Sequence, residues 1–208
     1  LRQLDAKELQ NSTASFYDIN ASINHKINNN NQLYVSGYMS QDKFSLNSDT
    51  LYEYSDKNAS VKWTHAFSKK LFGVVTSSIS DYRYEVSSDS NPVEASSLQF
   101  SIGQWNVKAD INYQLDEKHN ITAGISTVRY KLSPGNYQPI GEASTIIPDV
   151  IQDEQGIESA VYIGDNIDLT PRLSVYAGLR YSFYQLLGER QVFIYEEGTA
   201  KRESTITD

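Results

Sequence analysis

Tyr17-Asp18-Ile19-Asn20-Ala21-Ser22-Ile23-Asn24-His25-Lys26-Ile27 alternates apolar and polar residues, interrupted only at His25. Tyr17, Ile19, Ala21, Ile23 and Ile27 hold the odd positions, joined by His25; Asp18, Asn20, Ser22, Asn24 and Lys26 hold the even ones. A period of two is the period of a β-strand, whose successive side chains point to opposite faces. The stretch therefore reads as a strand with one apolar and one polar face.

The same alternation recurs along the chain. Val107, Ala109, Ile111, Tyr113 and Leu115 alternate with Lys108, Asp110, Asn112 and Gln114. Leu173, Val175, Ala177, Leu179, Tyr181 and Phe183 alternate with Ser174, Tyr176, Gly178, Arg180 and Ser182. Eight segments are expected, at about 16–28, 33–44, 52–67, 71–85, 99–115, 120–132, 156–169 and 173–187. In their clearest windows, 34 of 42 odd positions are apolar against 8 of 34 even ones, so the apolar face keeps odd numbering throughout. Asp165 is the one ionised residue on that face, whereas the even face carries Asp18, Lys26, Lys62, Lys108, Asp110, Glu158, Asp168 and Arg180.

Constant parity constrains the connections. Antiparallel partners share a face, so an odd number of residues must separate paired positions across each turn. Pairing Phe67 with Leu71, Leu169 with Leu173, Ile27 with Leu33 and Leu115 with Ile121 meets this condition. The remaining connections, near Ser45–Leu51, Val86–Leu98 and Ser133–Gln155, are longer and lengthen along the chain. Short turns at one end and long loops at the other, joining long strands, describe a transmembrane outer-membrane barrel with lipid against the odd face and a wet lumen at the even face. A soluble sandwich or lipocalin-like barrel explains the alternation equally well, but neither the loop asymmetry nor strands more than twice the usual length of about 5–6 residues.

Composition agrees. Hydrophobic residues make up 39% of the 208 positions, low for a domain built round a core but suited to strands apolar on one face. The formal charge of −8 would repel a phosphate backbone, which argues against nucleic acid as a partner. The absence of cysteine excludes disulfides and thiolate sites. There is no apolar run of the length a membrane helix needs. The N-terminal residues Leu1–Lys7 do not read as a signal peptide, and the chain stops in the polar stretch Thr205–Asp208. The expectation is a piece of a longer polypeptide, with residues 1–208 lying within a single barrel domain.

Several stretches resemble TonB-dependent outer-membrane receptors of the Bacteroidetes type: 33–42 (LYVSGYMSQD), 59–71 (ASVKWTHAFSKKL), 130–135 (YKLSPG), 158–165 (ESAVYIGD) and 173–181 (LSVYAGLRY). The resemblance implies an all-β, antiparallel, up-and-down barrel of about 22 strands, of which this chain would supply about eight. It implies energy-coupled uptake of a nutrient such as an iron chelate, glycan or peptide across the outer membrane of a Gram-negative cell. The implied partners are outer-membrane lipid, the rest of the barrel, a plug domain and the TonB energising protein, with a surface lipoprotein as a further candidate. The plug and the TonB-contacting segment are not expected within these residues. The alternative is a small closed eight-stranded barrel with a structural or adhesion role.

Catalytic chemistry finds no support. Gly-rich phosphate loops, HExxH and a nucleophile–His–acid set are all missing, so neither an enzyme nor a cofactor is expected. Asn11, Asn58 and Asn120 open sequons without consequence in a bacterial barrel. Asp149, Asp153 and Glu154 in the longest loop are the one set that could ligate calcium, although a merely polar loop is the plainer reading. His25, His65 and His119 fall at the tight-turn end and read as interfacial side chains rather than metal ligands. Tyrosine shows the one functional bias. Ten of 15 tyrosines are even-numbered, on the face assigned to the lumen. A flat ring with a hydroxyl suits sugars, peptides and aromatic ligands, although tyrosine is also simply a good strand former. Tyr52, Tyr54, Tyr82, Tyr84, Tyr130 and Tyr184 are the candidate ligand contacts.

Overall fold

The computed structural model describes residues 12–46, 50–188, 194–195 and 197–198. The readings of Leu1–Lys7 and Thr205–Asp208 lie outside them.

Eight long strands form one antiparallel sheet: β1 (Thr13–Lys26), β2 (Asn31–Leu46), β3 (Thr50–Ala66), β4 (Leu71–Ser88), β5 (Ser96–Gln114), β6 (His119–Pro139), β8 (Glu154–Thr170) and β9 (Leu173–Leu187). A two-residue strand, β7 (Asp149–Val150), pairs with β6 beyond the main path. Each long strand neighbours the next in sequence, the up-and-down order expected. Several strands outrun their apolar windows: β4 continues to Ser88, and β6 reaches Pro139. Backbone pairing needs no alternation, so the ladder persists where the apolar pattern has stopped. β1 and β9 sit at opposite ends of the sheet, and among the described residues it does not close on itself. The small closed barrel is therefore not formed.

Parity is kept as expected. Val35 faces Val61, Trp63 faces Val75, Val75 faces Ala109, Ala109 faces Ile125, Ile125 faces Val161 and Val161 faces Tyr181. Odd positions therefore share one side of the sheet over its full width. On β6 and β8 the odd Ile125, Arg129, Val161 and Ile163 stand exposed, whereas the even Ser126, Tyr130 and Tyr162 are half-buried and Gly164 is buried.

The turns are tighter than parity alone specified. Phe67 closes on Leu71 as expected, with its N–H donating to the Leu71 carbonyl at 3.0 Å. The expected Ile27–Leu33 pair is replaced by Ile27–Asn31, with Leu33 opposite His25, and Leu115–Ile121 by Leu115–His119, with Ile121 opposite Tyr113. Both corrections preserve the faces, because each register moves by two residues. The cause is local. Each three-residue loop opens on a side chain that accepts its own backbone: Asn28 from Asn30, Ser68 from Lys70 and Leu71, Asp116 from Lys118 and His119. These bonds, the Lys118 amide foremost, hold the Asp116 carboxyl below the usual carboxylate range. At β8–β9 a bulge sets Thr170, not Leu169, opposite Leu173, although Ile167 and Asp168 keep the expected register.

Neighbouring hairpins are stitched at the turns. The carbonyls of Asn30, Lys70 and Lys118, each the last residue of its loop, accept the amides of Ala66, Gln114 and Asp168 on the following hairpin. The row through Asn31 continues through His65, Gly73, Ile111, Ala123 and Ile163. Relative to it, closure lies two residues further at Phe67–Leu71 and four further at Leu115–His119. The ends thus advance one residue per strand. At a rise of about 3.3 Å per residue and about 4.8 Å between strands, level turns require a strand tilt of about 35°, the tilt of closed barrels.

The same frame measures the apolar band. Lys57 on β3, Asp81 on β4, Trp105 on β5 and Arg129 on β6 each lie ten residues from their turn-closing residue. Ten tilted residues climb about 27 Å, close to the apolar band of about 25 Å on outer-membrane barrels. Below this line the odd face of β3 to β6 carries no Asp, Glu, Lys or Arg. At and above it come the ion pairs Asp81–Arg83 and Lys43–Glu53. Asp165 is the exception inside the band, and it lies near the turn end with its carboxylate 2.6 Å from Nδ1 of His119. Trp63 and His65 both reach Oδ1 of Asn31, and Phe67 packs edge-on against His65, forming an aromatic rim beside the turns.

Two measurements check these assignments in the full-length protein. Spin labels at Ile111 and Val175 should be relaxed by lipid-soluble oxygen, and labels at Asp110 and Ser174 by an aqueous reagent; the opposite pattern would place the apolar face inward. Ile125→Lys, mid-band on the odd face, should destabilise reversible unfolding in bilayers by about 2–4 kcal/mol. Ser78→Lys on the even face should change it little.

Candidate functional site

Above the apolar band the even face becomes aromatic. Asp42, Tyr54, Tyr84 and Phe100 are successive register partners across β2, β3, β4 and β5. The row beyond it holds Phe44, Tyr52, Val86 and Leu98. Phe44 stacks on Tyr52 with centroids 4.7 Å apart, Tyr54 meets Tyr84 at 4.8 Å, and Tyr84 meets Phe100 at 5.0 Å. Tyr82 joins at 6.1 Å from Phe100. Four strands thus hold a continuous ladder of six rings, each half-buried. Such contacts are the cross-strand pairs that stabilise sheets, and they leave a rigid apolar wall with hydroxyls along it.

Of the six tyrosines expected to touch ligand, the structure brings Tyr52, Tyr54, Tyr82 and Tyr84 into this ladder. Tyr130 and Tyr184 lie instead in an adjoining groove of about 380 Å³, lined also by Ile102, Leu132, Gly156 and Glu158. Tyr130 donates to Glu158 Oε2 at 3.4 Å. Ile102 is the register partner of Tyr82, so groove and ladder adjoin. Phe44 and Phe100 were missed because only tyrosines were counted, although both are even-numbered apolar residues near loop ends. Tyr137 was missed for another reason. A bulge between β5 and β6 moves the register by one, so this odd-numbered residue faces Leu98 and donates to Ser96 Oγ at 3.1 Å.

Lower on the even face is a second, ionic cluster. Lys108 lies 3.1 Å from Asp110, whose carboxylate also accepts the Tyr162 hydroxyl. The Tyr162 ring carries Lys108 and Arg180 over it, at 5.6 and 5.3 Å, and covers Gly124, where a Cβ would collide with it. Nearby, Lys62 sits 5.2 Å from the Tyr34 ring centroid. Asp110 is half-buried while Lys62, Lys108 and Arg180 are exposed, so the cluster ties surface charges of the wall to one another and to the rings.

Metal-ligand geometry is not assembled. Asp153 reaches Lys131 at 3.6 Å, and among the described residues no three His, Asp or Glu side chains converge on a metal-sized site. His65 and His119 have the separate partners given above.

The sequence matches a family model described as "TonB dependent receptor-like, beta-barrel" over residues 3–203. No curated protein matches the chain by sequence. Among solved structures, the copper transporter OprC superposes with a TM-score of 0.67 at 7% identity, covering 83% of this chain and 29% of that one. BauA, the ferric preacinetobactin receptor from Acinetobacter baumannii, superposes with a TM-score of 0.63 at 10% identity, covering 89% and 39%. At such identities the likeness concerns the fold, and this chain spans well under half of either protein. Strand order, parity, tilt and the match over nearly the whole sequence agree: this chain belongs to the TonB-dependent receptor-like β-barrel family.

Proposed function

We propose that this chain forms part of the barrel wall of an outer-membrane receptor that imports a nutrient ligand by TonB-dependent energy coupling. The observation that carries the proposal is the sorting of the two faces: an apolar odd band about 27 Å tall, and an even face lined by an aromatic ladder just beyond its upper limit. The odd band meets lipid, the short turns lie in the periplasm, and the ladder lines the entrance from outside. Tyr52, Tyr54, Tyr82 and Tyr84, with Phe44 and Phe100, are the ligand contacts; Tyr130 and Tyr184 extend them into the neighbouring groove.

The outer edges of β1 and β9 carry no strand partner among the described residues. Unpaired backbone N–H and C=O groups in hydrocarbon cost several kcal/mol each, so further strands join on both sides. The rest of the barrel is therefore an obligate partner. A plug inside the barrel and the TonB protein acting through it complete the machine, and a surface lipoprotein over the long loops is a further candidate. An iron chelate, glycan or peptide would suit the ladder. No step requires catalysis.

Deletion of the gene should abolish use of one nutrient in a panel of iron chelates, glycans and peptides, and disabling TonB should reproduce that loss. Unimpaired growth across the panel, or uptake that survives loss of TonB, would count against the importer reading. A double-mutant cycle on Tyr54→Ala and Tyr84→Ala should give a coupling of about 0.5–1.5 kcal/mol in barrel unfolding. The double variant should also raise the half-saturating nutrient concentration while leaving the barrel in the membrane.

A further inference from the structure

The charges around the ladder are one-sided. Asp42 lies opposite Tyr54, and Asp56 lies opposite Tyr82. Neither carboxylate has an ion-pair partner among the described residues. Asp18 shares the row of Asp56 through Ser40, and Glu158 sits in the adjoining groove. No lysine or arginine occupies an even position above the band among the described residues. The basic residues at that height, Lys43, Lys57, Arg83, Arg129 and Lys131, are all odd-numbered; Glu53, Asp81 and Asp153 engage Lys43, Arg83 and Lys131, and Arg129 donates to Gln155. The even-face cations Lys62, Lys108 and Arg180 lie lower, within the band, over tyrosine rings.

We propose that the aromatic ladder takes an organic cation: a ligand presenting a flat apolar surface beside an amine, guanidinium or quaternary ammonium group. This deepens, and rests on, the reading of the ladder as the ligand surface. Ring faces carry the negative lobe of the aromatic quadrupole and attract cations. Asp42 and Asp56, each next to a ring of the ladder, add Coulombic attraction of the same sign. A carboxylate- or phosphate-bearing ligand would meet rings and carboxylates with no even-face basic side chain above the band, among the described residues, to compensate, so the surface rejects anions as well as selecting cations. The ligands admitted by the fold are thereby narrowed to cationic ones, with anionic chelates disfavoured.

The test uses the full-length protein in detergent, titrated by calorimetry with three small probes of one shape class: benzyltrimethylammonium, benzyl alcohol and benzenesulfonate. The cation should bind about tenfold more tightly than the sulfonate. Asp42→Asn with Asp56→Asn should cut that preference to about twofold while leaving benzyl alcohol unchanged. Tyr84→Ala should weaken all three. In the unaltered protein, raising the salt should weaken the cation alone, a readout that does not depend on any variant folding. Equal or tighter binding of benzenesulfonate, or a cation preference that survives the double substitution, would overturn the charge assignment while leaving the ladder as a ligand surface. If none of the probes binds, as when a plug covers the ladder, both readings fall.

Discussion

Backbone hydrogen bonding between neighbouring strands is the interaction on which everything else here depends. Among the described residues the only buried apolar side chains are Ala95 and Ala160, each 3% exposed, so a packed hydrophobic core does not organise the molecule. A soluble domain of this size would bury a large apolar interior. Here a single sheet of long strands satisfies its main-chain donors and acceptors laterally, strand after strand. Such a sheet suits hydrocarbon, where water cannot substitute for a missing partner. In that setting the apolar odd face needs no second layer, because lipid covers it.

Register turns this one-dimensional pairing into a shaped wall. With every main register even in parity, two surfaces of opposite character run unbroken from β1 to β9. The carbonyl of each loop's last residue, bonded to the next hairpin, fixes the stagger, and the stagger fixes the tilt. Tilt in turn sets how many residues cross the band, which is why Lys57, Asp81, Trp105 and Arg129 mark one limit on four different strands. The exceptions obey the same physics. Asp165 is tolerated on the apolar face near the turn end, against His119, and Trp105 directs its indole N–H to Ser77 Oγ at 3.1 Å.

The even face is divided by height. Its lower part ties charges to one another and to tyrosine rings, as in Lys108–Asp110–Tyr162–Arg180. Its upper part gathers rings beside Asp42 and Asp56, which have no ion-pair partner among the described residues. The first arrangement satisfies its own members and stiffens the wall. The second leaves half-buried rings, hydroxyls and negative charge on the same face, the surface proposed above to meet ligand.

The sequence alone determined the number of long strands, their order and which residues share a face, because strict alternation can be satisfied by one pairing parity only. It did not fix the exact hairpin registers. Ile27–Leu33 and Leu115–Ile121 have the right parity, but the side-chain bonds of Asn28 and Asp116 close each loop two residues sooner. Nor did it reveal the bulge that turns Tyr137 inward, since Pro134-Gly135 could equally have ended the strand. The candidate site was half legible: even tyrosines were visible as a bias, yet Tyr54, Tyr84 and Phe100 lie far apart in sequence. Only lateral pairing across β3, β4 and β5 brings them into one row. Alternation is a property of each strand by itself, whereas adjacency between strands depends on turn geometry and stagger, which the tertiary structure decides.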